Sequence, residues 1–170
     1  MREAKDSAAI WEALQSGVVD MIATDHAPHT PEEKTNEIIW NADCGFPGVE
    51  TQMPLMLTEV AAGRMTLEHY VSISSANPAR AFGMWPDKGR IAVGALADIA
   101  AVDMAREEVV AASRLHSRGK ITPFEGRKTI GAPVHTIVRG AFVQRGRQII
   151  EGMAGHGRQV NNIKKMPAAN

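Results

Sequence analysis

Apolar residues recur at helical spacing through the first half of the chain and give way beyond Pro86 to short, glycine-punctuated runs. Asp6 or Ser7 can cap a first helix whose Ile10, Trp11 and Leu14 share one face, with Gly17 in place to stop it. Val18 to Thr24 follows directly and reads as a buried parallel strand, with Met21, Ile22 and Ala23 at its centre. A second helix, from about Thr51 to Ala62, carries Met53, Met56, Leu57 and Val60 as a core stripe before Gly63, and Pro54 fits its first turn. Thr66 caps a third helix bearing Leu67, Tyr70, Val71 and Ile73, and Asn77-Pro78 opens a short fourth one that ends at Gly83. Ile99 to Val102, Val134 to Arg139 and Ala141 to Val143 read as strands. The last is expected to reach Gln148 to Ile150 through a tight turn at Arg145-Gly146-Arg147. Residues after Met153 lack apolar periodicity and are expected to fray.

The predicted first strand runs into Asp25-His26-Ala27-Pro28-His29, where Pro28 cannot donate to a ladder and the backbone must leave the sheet. An acid with histidines one and four positions on could act as metal ligand, general base and substrate contact. Taken alone, Thr24-Asp25-His26 favours plain turn chemistry, since Asp and His also cap helices and close turns. Gly45-Phe46-Pro47-Gly48 is equally balanced between a plain turn before a helix and a loop where glycine lets backbone approach a ligand.

Three blocks in order shift that balance: Thr24 to Thr30, then Glu32-Glu33-Lys34, then Gly45 to Thr51. Together they resemble the eighth-strand region of dihydroorotases in the amidohydrolase superfamily. Ser75-Ala76-Asn77-Pro78-Ala79-Arg80 and the stretch Lys88 to Ile99 extend the likeness, in a form shared with hydantoinases and allantoinases, so that it covers roughly residues 5 to 152. The resemblance implies roles residue by residue. Asp25 matches the acid that contacts a metal centre, zinc in the family, takes a proton from the attacking hydroxide and delivers it to the leaving nitrogen. His29 matches a substrate contact, and Gly45, Phe46, Pro47 and Gly48 match a loop lining the substrate site. His26 has no equally secure role and reads as a supporting or loop-packing histidine. Asp98 and Asp103 read as turn-forming and solvated, and His69 as a surface or partly packed side chain. Arg80, His116, His135 and His156 have no partner inferable from sequence.

Relatives also carry a His-x-His pair, a carboxylated lysine and two further metal-binding histidines on earlier strands, whereas no histidine precedes His26 here. The resemblance therefore implies the carboxy-terminal part of a longer enzyme, and 170 residues fall short of the about 250 that a (β/α)8 barrel typically takes. The expected fold is α/β: residues 1–86 the last strand and helices of a TIM-type barrel, 87–152 part of a small β-sandwich, and 153–170 a tail. The expected function, in the full-length parent, is reversible hydrolysis of dihydroorotate to carbamoyl aspartate in pyrimidine biosynthesis, the fragment alone being inactive. Alternatives are a hydantoinase- or allantoinase-type cyclic amidase, and a non-catalytic homologue or assembly partner.

Composition adds little to that picture. With 44% hydrophobic and 22% charged residues the chain is an ordinary globular sequence, and its 19 basic and 19 acidic residues give no reason to propose nucleic acid or membrane as a partner. There is no secretory apolar segment and no run near a membrane span. Cys44, the single cysteine, rules out an intrachain disulfide, and beside Asp43 it reads as an incidental loop thiol. A cytoplasmic protein acting on a small cyclic amide is expected. It should form a homo-oligomer or require the missing amino-terminal half.

Overall fold

A computed structural model describes residues 3–160. In chain order its elements are helices α1 (Ala4–Gln15), α2 (Pro31–Lys34), α3 (Gln52–Ala61), α4 (Leu67–Val71) and α5 (Asn77–Ala81), followed by strands β1 (Ile99–Val109), β2 (Lys128–Val138), β3 (Ala141–Arg145) and β4 (Gln148–Ile149). The strands form one sheet in the order β1-β2-β3-β4. The described residues fall into two compact units, one of residues 3–22, 65–100 and 135–160, the other of residues 23–64 and 101–134.

In the first unit α1 is shifted from its expected start. Glu3, rather than Asp6 or Ser7, precedes the helix, and its N–H donates to the Asp6 carboxylate at 3.1 Å. Asp6 thus acts from the third helical position, as the reciprocal half of a capping box does. Gly17 stops the helix at φ 78°, a left-handed conformation that glycine adopts without a Cβ penalty. Of the predicted apolar face only Leu14 is buried, while Ile10 is 51% exposed. Thr66 caps α4 as expected, accepting the His69 N–H at 3.1 Å. The chain then passes through a wider turn over Ser72–Ala76 into α5, which starts at Asn77. Leu14, Met65, Tyr70, Ile73 and Ala79 are the buried apolar residues of this unit. Asp98 ties its later part together: the carboxylate accepts the Arg139 N–H at 2.6 Å and pairs with Lys88 at 2.7 Å.

Two successive hairpins shape the end of the sheet. Val138 pairs with Ala141 across Arg139-Gly140, and Arg145 pairs with Gln148 across Gly146-Arg147. All four turn residues have positive φ, from 50° to 82°, the signature of the two-residue turn whose twist matches that of the strands. His135, without a partner in the sequence reading, accepts the Gly146 N–H on Nδ1 at 3.0 Å and meets the edge of Phe142. His156 likewise finds the Val138 carbonyl at 3.1 Å, so residues near 156 are tied down, and the part of the expected tail from 161 onward lies outside the described residues.

In the second unit α3 packs on β2. Gly131 (φ 92°) lies so close to it that a Cβ there would stand 2.7 Å from the Leu57 Cβ. Leu57 and Ala132 are fully buried, whereas Met53, Met56 and Val60 are only half-buried, so the expected core stripe narrows to a single leucine. Thr58 supports the same contact, its hydroxyl accepting the Ile130 N–H at 2.9 Å and donating to the Pro54 carbonyl at 2.7 Å. Buried Glu59 is paired with Arg64 and Arg127, which offset the cost of burying its charge. Both β1 and β2 run several residues further than the sequence pattern suggested.

The strand expected over Val18 to Thr24 does not form. A parallel strand needs a hydrogen-bonded neighbour on its edge, and the described residues place none beside this segment, since the only sheet is that of β1 to β4. The segment is fastened at isolated points instead: the Ile22 N–H donates to the Ile73 carbonyl at 3.2 Å, and the Asn77 amide to the Asp20 carbonyl at 2.8 Å. No helix of the described residues is long and apolar enough to cross a membrane.

Candidate active site

Asp25 has φ 46°, one of three described non-glycine residues on the left-handed side of the backbone map. Asp tolerates that conformation better than most residues, and such outliers concentrate at functional sites when their surroundings hold them. Here the surroundings do. On one side Thr24 lies against Gly48, where a Cβ would come 2.9 Å from the Thr24 Cβ. On the other, His26 Nδ1 accepts the Gly48 N–H at 3.0 Å and the Val49 N–H at 3.3 Å. An imidazole nitrogen that accepts carries no proton, so His26 holds its proton on Nε2. The Ala27 N–H then donates to the Phe46 carbonyl at 3.1 Å, and Gly45 (φ 91°) leaves no room for a Cβ beside Ala27. Residues 24–27 and the Gly45–Gly48 loop are thus locked together, while the exposed Asp25 carboxylate has no protein partner among the described residues.

His29 stands among charges. Its Nδ1 is 3.5 Å from Glu33 Oε2 and 3.4 Å from Asp43 Oδ2. Glu33 belongs to the capping box of α2, with Thr30 N–H donating to Oε2 at 2.9 Å, and Arg118 Nη2 donates to both carboxylate oxygens at 2.9 and 2.8 Å. The Thr30 N–H, helped by the charges of Arg118 and His29, holds the Glu33 carboxyl below the usual range. Lys34 fastens the same turn from beneath by donating to the carbonyls of Asp43 and Gly45.

A second carboxylate anchors the segment that delivers Arg118. Glu50 accepts the N–H groups of His116 (2.7 Å) and Ser117 (3.0 Å) and meets His116 Nδ1 at 2.9 Å. Burial pushes the Glu50 carboxyl up, but the His116 ring and the two N–H groups outweigh it and hold the pKa below its ordinary value. Gly119 then sits so near His29 that a Cβ would clash with the His29 carbonyl oxygen, and Phe46 meets Phe124 edge to face at 6.1 Å between centroids.

The geometry gathers the sequence candidates into two neighbouring groups, Asp25 with Gly45 to Gly48, and His29 with Asp43 and Glu33. The contacts of Glu50, His116, Arg118 and Gly119 escaped the sequence reading because they span 66 to 91 residues. Cys44 is exposed in the same loop, with only a weak contact to the Ala42 carbonyl at 3.9 Å. Asp98, expected to be solvated and in a turn, is instead the anchor of Lys88 and Arg139, and Asp103, also expected in a turn, lies within β1, where its carboxylate accepts the Ala105 N–H at 3.0 Å.

For a metal ion the chain offers a partial set. Asp25 presents free carboxylate oxygens, hard donors suited to a divalent cation. His29, Glu33 and Asp43 also bring ligand atoms within 4.8 Å of one another, a set that could hold a metal ion, although both oxygens of Glu33 are engaged by Arg118. The residues present therefore fit contact with a metal centre, and Asp25 is the donor that nothing among the described residues competes for.

The chain is 38% identical over 155 residues to an L-hydantoinase of Paenarthrobacter aurescens, covering 89% of this chain and 34% of that protein. It is 43% identical over 143 residues to a dihydroorotase of Geobacter sp. (strain M21), covering 84% and 33%. Among solved structures, a dihydropyrimidinase from Brevibacillus agri NCHU1002 superposes with a TM-score of 0.89 at 33% identity, over 94% of this chain and 35% of that one. A D-hydantoinase from Bacillus sp. AR9 gives 0.88 at the same identity and coverage. The chain thus spans about a third of the length of the relatives it matches. Residues 1–143 match the Amidohydrolase family, a span that includes Asp25, His29, the Gly45–Gly48 loop and the Arg118 segment, and the chain belongs to that family.

Proposed function

We propose that this chain carries the carboxy-terminal part of a metal-dependent cyclic amidohydrolase of dihydroorotase type, residues 1–86 closing a (β/α)8 barrel and residues 87–152 contributing to a β-sandwich. The observation that carries the reading is Asp25, a carboxylate with no partner among the described residues, held at positive φ by the interlocked 24–27 and 45–48 segments. A cyclic amide resists hydrolysis because its carbonyl is a poor electrophile and its nitrogen a poor leaving group. Zinc or another divalent ion, when bound, would supply the activation of water at neutral pH and the polarisation of the carbonyl. Asp25 would contact the ion, accept the proton of the attacking water and return it to the departing ring nitrogen, so that one carboxylate serves as base and then acid. His29, with Nδ1 occupied by carboxylates, leaves Nε2 for a carboxylate of the substrate. Gly45 and Gly48 would let backbone approach a planar ring, with Phe46 and Pro47 as the apolar wall.

Dihydroorotate is favoured over a hydantoin because His29 gives a substrate carboxylate a partner. The hydantoinase reading draws on the solved structures, which include D-hydantoinases and a dihydropyrimidinase. Turnover of dihydroorotate, hydantoin and allantoin, measured with zinc on this chain alone and on an enzyme in which it completes the barrel, decides between them. Hydrolysis of dihydroorotate by the complete enzyme only, lost in Asp25→Asn, is the expected result. Preference for hydantoin would move the assignment to the sister activity, and absence of turnover on all three would favour a non-catalytic homologue. The setting proposed is cytoplasmic. Exposed Ile10 (51%) and Val18 (74%) would drive the isolated chain to self-associate, which light scattering over a concentration series would register.

A further inference from the structure

Arg118 lies 85 residues beyond Glu33 in the chain and 63% exposed, yet it is held by a two-point mooring. Glu50 takes the N–H groups of His116 and Ser117, which fixes where the turn begins. Gly119 packs against Pro28 and His29 with no space for a side chain, which fixes where it ends. Between these points the guanidinium grips both oxygens of Glu33, the carboxylate that stands 3.5 Å from His29 Nδ1.

We propose that Arg118 is a positioning residue for substrate binding: through Glu33 it sets the direction of the His29 ring, so that Nε2, which has no partner among the described residues, is presented to the substrate. This inference rests on the substrate-contact role given to His29 above. An exposed ion pair contributes little stability. A grip this well built on an exposed arginine therefore has more effect on geometry than on folding. One guanidinium nitrogen, Nη2, bridges the two carboxylate oxygens, and the planar guanidinium presents its donors in a fixed geometry that a freely rotating lysine ammonium lacks. Asp43, 3.4 Å from the same Nδ1, is held through its backbone by Glu33 and Lys34, but no cation among the described residues fixes its carboxylate as Arg118 fixes that of Glu33.

The first test needs no turnover. In the chain as it stands, side-chain 15N NMR should show the His29 ring resonances of Arg118→Gln moving toward those of a free histidine, with unfolding temperature unchanged and the His116 ring, held by Glu50, as an internal control. Arg118→Lys should restore the His29 signature only in part. Unchanged His29 resonances in Arg118→Gln, or His29 and His116 moving together with a fall in unfolding temperature, would overturn the proposal. In the complete enzyme Arg118→Gln should raise KM for dihydroorotate on the order of fivefold with kcat within about twofold. It should add nothing further in a His29→Ala background, where there is no ring left to aim. Additive losses in that double variant would show a general structural effect instead. A wild-type enzyme inactive on every cyclic amide would count against the proposed function, and the NMR result would still decide the positioning claim.

Discussion

The hairpins at residues 138–148 and the loops at residues 24–50 solve the same problem, a sharp change of chain direction, by opposite means. Each hairpin closes across two residues with positive φ and is self-contained. The Asp25 segment has positive φ as well, but it is held from outside, by backbone donors 22 and 23 residues away that converge on His26 Nδ1. Local turns build scaffold because the strand pairs directly flanking them hold even Arg139 and Arg147 at positive φ. A loop held by remote partners can keep one side chain unsatisfied, and here that side chain is Asp25. The contrast separates a region optimised for pairing from one in which pairing stops short of a single carboxylate.

The largest effect expected from breaking this contrast is on Asp25 itself. In the complete enzyme Asp25→Asn should lower turnover on the order of 10²–10⁴-fold, since the amide keeps the shape but shuttles no proton. Because Asp25 has no protein partner, its unfolding temperature should match wild type, a pairing of results that steady-state kinetics and a thermal melt would check together. Leu57→Ala should do the reverse. It removes a fully buried side chain from the contact of α3 with β2, at a cost of about 2–5 kcal/mol in urea denaturation.

His29→Ala should fall between these extremes, raising KM through the loss of a charge-assisted hydrogen bond of about 1.5–3 kcal/mol while leaving kcat nearly intact. A kcat loss as large as that of Asp25→Asn would give the proton-shuttling role to His29 instead.

The smallest effect is the response to acid. Glu33, Glu50 and Asp98 all have folded-state pKa values below their ordinary ones. Each therefore contributes stability that is present above the ordinary carboxylate value and is lost as pH falls through the lowered folded value. Stability should be flat from neutral pH down to about 4.5, the ordinary glutamate value, and decline below it. Glu50→Gln should weaken that decline and loosen the 116–119 turn, whereas Asp98→Asn should weaken it without touching the site, as amide exchange of Ser117 and Arg139 would report. Equal protection of both amides in both variants would remove the distinction between the regions.

What could be read from the chain by itself was whatever a few neighbouring residues decide. The Thr66 cap, the stop at Gly17, the start of α5 at Asn77 and the turn at Gly146-Arg147 each depend on one side chain or one φ preference within about four positions. The motif blocks likewise placed Asp25, His29 and Gly45 to Gly48 as candidates, because their chemistry lies in residue type and short spacing. Only the tertiary structure decided that Val18 to Thr24 is no strand, since a strand exists by virtue of its neighbour, and that Leu57 alone of its stripe is fully buried, since burial depends on what lies opposite. It alone brought Glu50 to His116 and Arg118 to Glu33, contacts across 66 and 85 residues. No local preference encodes such pairs, because the entropy of closing those loops is repaid only when the rest of the unit has packed.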